Sequence, residues 1–243
     1  MKICLYTITN FVHSAINCID LLLQSINKKY PYDFYIITNT NINSNQYNIL
    51  YDNKNITNYV GYLKYSNVIP QNYDYYIYLD SDILFFDSLD TLVSIDKPMS
   101  LVKEPYMIKN HEWFYFQYIE NLNDKLLISQ SNALNAGSFA FKKDQFHIIY
   151  DIYTTYCKYS TKCHSTIEQA KLEQSIFNFH IHKAFDFSID GCYDITRLVQ
   201  LFASESQPSI DKKLYHFCGY TNEMMSKYQR MKNFYNEYQK SNC

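Results

Sequence analysis

Two aspartates interrupt a strongly apolar and aromatic run of the sequence. Asp80 and Asp82 stand two positions apart within "YDYYIYLDSDILFF", residues 73–86. Ionised carboxylates in such a run are costly to bury unless a positive group meets them. Because residues i and i+2 of an extended backbone share one side, both side chains are expected to point the same way. Two hard anionic oxygens on one side suit Mg²⁺ or Mn²⁺, so the pair predicts a divalent metal site.

The chemistry that suits this acidic pair is metal-assisted departure of a diphosphate. A divalent ion held there typically bridges to a diphosphate and neutralises charge on a departing nucleoside diphosphate. A lone Asp-x-Asp motif is weakly specific, since a chain this rich in aspartate contains about one by chance. A solvated strand end, or the N-cap of a following helix, explains the same residues. Taken alone, the motif leaves both interpretations open.

The hydrophobic pattern predicts alternating strands and helices around the acidic pair. Apolar strands are predicted at residues 2–8, 34–38, 75–79, 99–104 and 137–142, and helices at residues 14–26, 145–156, 167–180 and 224–238. The Asn-rich stretch 39–58 predicts a loop with one short edge strand. This alternation is typical of a mostly parallel α/β sheet, in which ligands gather beyond the carboxyl ends of the strands. Asp80 directly follows the predicted strand 75–79, at such an end.

Length and composition indicate one ordinary globular unit. The 243 residues are 47% hydrophobic and 19% charged, and no repeat or Pro/Gly/Ser-rich linker divides them. A single domain over residues 1–243, with a helical tail from about residue 222, is therefore expected. The formal charge of −2 provides no basic field for nucleic acid. Because Arg197 and Arg230 are the only arginines, a bound anion must be met by lysine, a metal ion or backbone amides.

The 26 tyrosines of this chain have two interpretations. They would suit an aromatic carbohydrate-binding surface. Coding drift in an AT-rich genome explains them equally well, together with the abundance of Asn, Ile and Lys. Biased composition is weak evidence of function, so the second interpretation is favoured.

Cysteine usage and hydropathy predict a cytoplasmic protein without a membrane span. The seven cysteines are scattered and include no Cys-x-x-Cys pair, which is typical of reduced thiols. Polar residues break up the apolar N-terminal stretch "MKICLYTITN", unlike a signal peptide. No apolar run approaches the ~20 residues that a spanning helix needs.

Further segments in sequence order carry a family resemblance. They are Thr9-Asn10, Lys64, Asp80-Ser81-Asp82, Asn135-Ala136-Gly137, "LEQSIFN" at 172–178 and "HFCG" at 216–219. In this order they resemble the motifs of the retaining GT-A glycosyltransferases of family eight, which include glycogenin and the lipopolysaccharide galactosyltransferases. The resemblance spans most of the chain. It implies an α/β fold, namely a single GT-A (Rossmann-like) domain with a mostly parallel central sheet flanked by helices.

The implied activity is metal-dependent, retaining transfer of a hexose from a nucleotide sugar, most naturally a UDP-sugar, to a hydroxyl acceptor. The acceptor would be a glycan, a protein or a small molecule. Asp80, Asp82 and His216 would ligate Mn²⁺ or Mg²⁺, and Asp80 would also touch the donor. Gly219 would let a backbone amide approach the diphosphate. Without the family context, a satisfied core histidine is the favoured interpretation of His216.

The resemblance also implies residues that hold the donor. Thr9 and Asn10 would cradle the nucleoside, and Lys64 would place a positive charge on the donor. Asn135 would hydrogen-bond the sugar, while Gly137 would keep the backbone out of its space. The alternatives are a solvated surface lysine at Lys64 and an ordinary turn at Asn135 and Gly137.

Gln174 and Glu173 are the implied residues nearest the reaction. A neutral amide is a poor nucleophile, so a front-face mechanism without a covalent intermediate on Gln174 is favoured. Both side chains would orient the sugar and stabilise the charge that develops on it. Glu173 replaces the aspartate of the family. An exposed helix face is the alternative interpretation for this charged stretch.

One departure from the family bears on function. The family carries a lysine where this chain has Asn222, so a diphosphate contact is missing unless Lys227 or another lysine supplies it. This departure suggests the first alternative to the transferase, a nucleotide-sugar-binding protein without turnover. The second alternative is another Asp-x-Asp transferase on the same scaffold. The latter would be an inverting glycosyltransferase or a nucleotidyltransferase, although a nucleotidyltransferase commonly has a Gly-rich phosphate loop that is missing here.

Overall fold

The computed structural model describes residues 1–10, 13–41, 44–54, 57, 59–201, 211–218 and 224–241. The helices are α1 His13–Ser25, α2 Leu122–Ser129, α3 Phe146–Tyr159, α4 Thr166–Ala184 and α5 Met224–Ser241. The strands are β1 Ile3–Ile8, β2 Tyr32–Thr38, β3 Asn48–Tyr51, β4 Tyr75–Leu79, β5 Ile83–Phe85, β6 Met99–Met107, β7 Asn132–Lys142, β8 Tyr193–Asp194, β9 Val199–Gln200 and β10 Leu214–His216.

Among the described residues, seven strands form a central sheet in the order β3-β2-β1-β4-β7-β6-β8. Strands β1, β2, β3 and β4 run parallel to their neighbours within this group, and β8 is parallel to β6. Strand β7 is antiparallel to both β4 and β6. The predicted α/β fold with a mostly parallel central sheet is confirmed.

Strand β1 illustrates why these sequences form a buried sheet. All six of its residues are buried, which is typical of a parallel strand covered on both faces. Its side chains alternate: Cys4 and Tyr6 join one apolar cluster, whereas Ile3 and Leu5 join another that includes Leu22 of α1. Fully burying a side chain such as Leu5 contributes roughly 1.5–3 kcal/mol. The strand therefore holds the two layers of the core together.

A second, three-stranded sheet has the order β5-β10-β9. Strand β10 runs antiparallel to β5, with His216 opposite Ile83. Helix α5 covers this small sheet, where Phe234 packs against Tyr215 with 4.6 Å between ring centroids. Strand β5 begins one residue after Asp82, so the small sheet carries β10 back to the acidic pair.

The predicted and observed elements differ in instructive places. Strand β4 has the predicted bounds, and β3 is the short edge strand expected in the Asn-rich stretch. Strands β5, β8, β9 and β10 were not predicted, because two or three residues carry too little periodicity. Helix α2, only eight residues long, was missed for a similar reason. Strand β7 begins at Asn132 rather than at residue 137, which places Asn135 inside a strand.

The described residues also show the state of the cysteines and the hydropathy of the helices. Six cysteines lie in the described ranges, and all six are free thiols. Over the same residues, no helix combines the length and the apolar character that crossing a membrane requires.

Candidate active site

The two aspartates and a distant histidine meet beyond the carboxyl end of β4, the middle strand of the central sheet. Asp80 and Asp82 follow β4, and His216 ends β10. His216 Nε2 lies 3.4 Å from Asp80 Oδ2 and 3.2 Å from Asp82 Oδ1. The backbone N–H of Phe217 donates to the Asp82 carbonyl oxygen at 2.9 Å, which fixes β10 beside the acidic pair. One ligand atom from each of the three side chains lies within 4.8 Å of the others.

Positive groups meet the two carboxylates, as their position in an apolar run requires. Lys227 of α5 donates from Nζ to Asp82 Oδ2 at 2.6 Å. Burial raises the pKa of Asp82, but His216 and Lys227 more than offset it, so the pKa lies well below its usual range. Burial lowers the pKa of His216, and the negative groups beside it raise it well above its ordinary value. In the metal-free site, the negative groups around His216 thus favour the protonated imidazole ring.

The same three side chains fit a divalent cation. Carboxylate oxygens suit Mg²⁺ and Mn²⁺, and an imidazole nitrogen is accepted by Mn²⁺. A metal would replace the imidazolium proton, so its binding would release that proton. His216 Nδ1 is buried and has no hydrogen-bond partner among the described residues, so the contacts of the ring with hydrogen-bonding groups are those of Nε2.

Gly137 leaves the space in which these side chains meet. An added Cβ at Gly137 would lie 2.3 Å from His216 Cε1 and 2.6 Å from Asp80 Oδ2. The strand is irregular here, because the pairing of β6 with β7 jumps from Leu101↔Phe139 to Val102↔Asn135. Irregular pairing of this kind re-aims the backbone near functional sites. The Gly137 carbonyl accepts the Asp80 N–H at 2.8 Å.

Gly137→Ala is expected to weaken the Mn²⁺ and UDP binding that the family resemblance implies by roughly 5- to 150-fold, since its methyl group must displace His216 or Asp80 at a cost of about 1–3 kcal/mol. Isothermal titration calorimetry would measure both affinities. Gly191→Ala is the matched control, because a Cβ at Gly191 meets nothing within 4 Å. Unchanged affinity in Gly137→Ala would show that the glycine is not needed for the site.

A buried ion pair lies beside the backbone that precedes Gly137. Lys64 Nζ is 3.4 Å from Glu173 Oε1, and the two side chains are 5% and 3% exposed. Lys64 also donates to the Ala136 carbonyl at 3.0 Å. Glu173 accepts hydrogen bonds from the hydroxyls of Tyr59 and Tyr65. The solvated-lysine and exposed-helix-face alternatives for these two residues are therefore wrong.

Gln174 is held by the backbone of β7. Its Nε2 donates to the Leu134 carbonyl at 2.6 Å. Asn178, one turn further along α4, accepts from the Leu134 N–H at 2.7 Å and donates to the same carbonyl at 3.1 Å. These bonds position Asn135, which lies within β7, so the ordinary-turn alternative for Asn135 is wrong. Sequence reasoning did not assign this role to Asn178.

A cavity of about 600 Å³, which we call the catalytic cavity, brings most of the predicted residues together. Its walls include, among others, Lys64, Asp80, Asp82, Asn135, Gly137, Glu173, Gln174, His216 and Lys227. Thr9 and Asn10 do not line it. Thr9 is buried at the end of β1, where its N–H donates to the Ile37 carbonyl at 3.1 Å, and Asn10 is exposed. Gly219 and Asn222 lie outside the described residues.

Glu104 lines the catalytic cavity and was not predicted. It is 5% exposed, and its Oε1 accepts from Asn135 Nδ2 at 2.7 Å. Its Oε2 is buried without a partner among the described residues. Burial raises the pKa of Glu104, and the Asn135 bond and two histidines only partly oppose this. A carboxylate in an apolar strand, "MSLVKE", was the available signal.

Glu104→Gln is expected to change how stability depends on pH. Since the folded-state pKa of Glu104 is raised above its ordinary 4.5, ionisation of Glu104 destabilises the metal-free wild type. Below pH 4.5 Glu104 is protonated in both the folded and the unfolded wild type, so the difference in the free energy of unfolding between wild type and Glu104→Gln is constant there. As pH rises through the folded-state pKa, the wild type loses stability relative to Glu104→Gln. Urea unfolding of both proteins in EDTA across this range would measure the difference. A difference independent of pH would contradict the assignment.

Comparison with known proteins places the fold among the glycosyltransferases. No protein-family model matches the chain, and no curated protein matches it. Its structure is similar to an active-site mutant of LgtC (TM-score 0.56, 14% identity, 99% of this chain and 96% of the other). It is also similar to a glycosyltransferase involved in glycosylation of the major capsid of PBCV-1 (TM-score 0.54, 11% identity, 96% and 100%). The bifunctional glycosyltransferase WbbM gives a TM-score of 0.59 at 12% identity, over 99% of this chain and 51% of WbbM.

These likenesses establish a GT-A glycosyltransferase fold. The predicted resemblance to glycosyltransferases of this fold is confirmed at the level of structure. The Asp80, Asp82 and His216 cluster lies at the sheet edge where such a fold gathers ligands.

Proposed function

We propose that this protein is a metal-dependent, retaining glycosyltransferase that moves a hexose from a UDP-sugar to a hydroxyl acceptor. The observation that carries the proposal is the meeting of Asp80, Asp82 and His216 beside Gly137, within a GT-A fold. LgtC, to which the chain is similar in fold, has been solved as a galactosyltransferase with donor and acceptor sugar analogues (TM-score 0.52, 14% identity, 98% of this chain and 96% of LgtC). That likeness supports the class of substrates.

Asp80, Asp82 and His216 would hold Mn²⁺ or Mg²⁺. When bound, the ion supplies charge neutralisation on the nucleoside diphosphate. Lys227 supports the same role, because its ammonium group lies in the catalytic cavity beside Asp82. It thereby provides the positive charge that Asn222 does not. Gly219 would contribute a backbone amide, and Thr9 and Asn10 would contact the nucleoside from the end of β1.

The transfer would take place on one face of the donor sugar. The acceptor oxygen attacks the anomeric carbon of the donor while the bond between that carbon and the diphosphate oxygen breaks. The proton of the acceptor hydroxyl passes to the departing diphosphate oxygen. Glu173 is buried and hydrogen-bonded by two tyrosines, so it is suited to hold negative charge near the sugar rather than to move as a nucleophile. Gln174 and Asn135 would orient the sugar through their amides.

A panel of UDP-hexoses with Mn²⁺ tests this proposal. We expect release of UDP from at least one donor, and a product with the anomeric configuration of that donor by NMR. Removal of the metal with EDTA should abolish turnover, and Mn²⁺ should restore it. Binding of UDP without hydrolysis or transfer across donors and acceptors would favour the binding-only alternative. An inverted product would overturn the retaining assignment, and nucleotidyl transfer would overturn the reaction class.

A further inference from the structure

A second cavity adjoins the catalytic cavity on the far side of one short segment. It has a volume of about 530 Å³, within the ~300–1,000 Å³ range of small-molecule sites. Four aromatic side chains line it, and we call it the aromatic cavity: Phe114, Tyr115, Tyr118 and Tyr159. None of the residues used above for metal, donor or sugar contributes to its walls.

The segment between α2 and the preceding strand β6 joins the two cavities. Trp113 lines the catalytic cavity, Phe114 lines both, and Tyr115 lines the aromatic cavity. The Tyr115 N–H donates to Ser175 Oγ at 2.6 Å, which ties the segment to α4 directly beside Gln174. A ligand that crosses Phe114 would therefore extend from the reaction centre into the aromatic cavity.

Ring contacts hold the side chains of the aromatic cavity in place. Tyr118 packs against Tyr159 with centroids 5.5 Å apart, and Phe114 stacks on Phe116 at 5.9 Å and 8°. Tyr115 remains 44% exposed. The Tyr118 hydroxyl is buried and has no hydrogen-bond partner among the described residues. Ordered aromatic faces with one unpaired hydroxyl are suited to a ligand that has both C–H surfaces and hydroxyl groups.

The charges around this cavity cancel. Two acidic side chains, Glu112 and Glu168, face two lysines, Lys162 and Lys171. Lys162 lies 5.2 Å from the Tyr159 ring centroid, so part of its charge is already engaged. Balanced charges of this kind provide hydrogen-bond donors and acceptors without selecting a strongly charged ligand. The lining thus favours a neutral, polyhydroxylated chain.

We infer that the aromatic cavity binds the acceptor, and that the acceptor is a neutral oligosaccharide whose outer sugars occupy this cavity while its reacting sugar lies in the catalytic cavity. The inference deepens the proposed function and rests on it, because the oligosaccharide is an acceptor only if the protein is a glycosyltransferase. Binding of the oligosaccharide itself does not depend on the proposed donor or metal. Four of the chain's many aromatic residues would thus contact the carbohydrate: Phe114, Tyr115, Tyr118 and Tyr159.

Trp113 provides the experiment, because it is the only tryptophan in the chain and lies beside Phe114. Its fluorescence would be titrated with neutral trisaccharides of glucose, galactose, mannose and N-acetylglucosamine, and with the corresponding monosaccharides. We expect saturable binding of at least one trisaccharide, at least tenfold tighter than its monosaccharide. Tyr115→Ala should weaken that binding about three- to tenfold, by loss of a stacking face. Tyr51→Ala, which removes a ring of similar exposure (47%) from edge strand β3, should leave it unchanged.

A separate titration with Mn²⁺ and UDP keeps the two proposals distinguishable. Trisaccharide binding that persists in Asp82→Ala, while the UDP response is lost, supports both. Trisaccharide binding without any UDP response in the wild type supports the aromatic cavity and contradicts the proposed donor. Absence of trisaccharide binding, binding unaffected by Tyr115→Ala, or displacement by UDP would overturn the inference. Binding of unstructured peptides in place of trisaccharides, with the same dependence on Tyr115, would also overturn it.

Discussion

Asp82→Ala is expected to abolish the stabilisation of this protein by Mn²⁺ together with UDP. At a ligand concentration one hundred times Kd, the wild type should gain about 2.7 kcal/mol of stability. The variant should gain almost nothing, because Asp82 contributes one of three candidate metal ligands and also holds Lys227 in the cavity at 2.6 Å. Thermal unfolding with and without the ligands measures the gain.

The comparison is made within each variant, since Asp82→Ala also removes the partner of the buried His216 and of the half-buried Lys227 and should lower the starting stability. Asp82→Asn keeps the shape of the side chain and should retain only a small part of the response. Asp194→Ala is the matched control, because Asp194 forms a half-exposed ion pair with Lys103 at 3.2 Å, outside the catalytic cavity. An equal ligand-dependent gain in Asp82→Ala would remove the metal site from this position.

Lys64→Met is expected to destabilise the fold by about 3–5 kcal/mol, the effect of leaving a buried charge without its partner. Glu173 is 3% exposed, and Lys64 supplies its opposite charge at 3.4 Å. Burial already raises the pKa of Glu173, and loss of Lys64 removes the largest effect that opposes this rise. Urea unfolding gives the change in the free energy of unfolding.

A double-mutant cycle separates the ion pair from the packing of Lys64. Lys64→Met with Glu173→Gln should be less destabilised than the sum of the two single variants, because the second change removes the unpaired charge. Lys183→Met is the control: it breaks the Lys183–Asp124 pair at 2.8 Å, whose lysine is 55% exposed, and should cost only ~0–1 kcal/mol. Additive single effects would show that the buried pair does not act as a unit.

Much of the central sheet could be predicted because its strands are long enough to show their periodicity. Strand β4 and the position of Asp80 at its end follow from five consecutive apolar residues. The boundary of β7 could not be predicted in the same way. The predicted strand begins at Gly137, and only the irregular pairing of the first half of β7 with β6 shows that Asn135 also belongs to it.

The burial of charged side chains was the second feature that could not be predicted from the sequence. Lysine and glutamate are residue types usually found on the surface, so the sequence gives no sign that Lys64 and Glu173 are buried. Helix α4 has no strongly one-sided hydrophobic pattern that would mark its buried face. The burial of Lys64 and Glu173 depends on a contact between residues that are far apart in the chain, as does the bond from Tyr65 to Glu173 across 108 positions. Local patterns do not encode such a contact.

The sequence by itself determined the order of the candidate metal-ligating residues, their chemical types, and the strand that presents the acidic pair. Only the tertiary structure decided that β10 pairs with β5 and thereby places His216 against Asp80 and Asp82, that Lys227 reaches Asp82 across 145 positions, and that Glu104 shares the cavity. The physical reason is that hydrophobic periodicity specifies local conformation. Strand register and helix packing instead specify which distant side chains meet, and these depend on the whole chain.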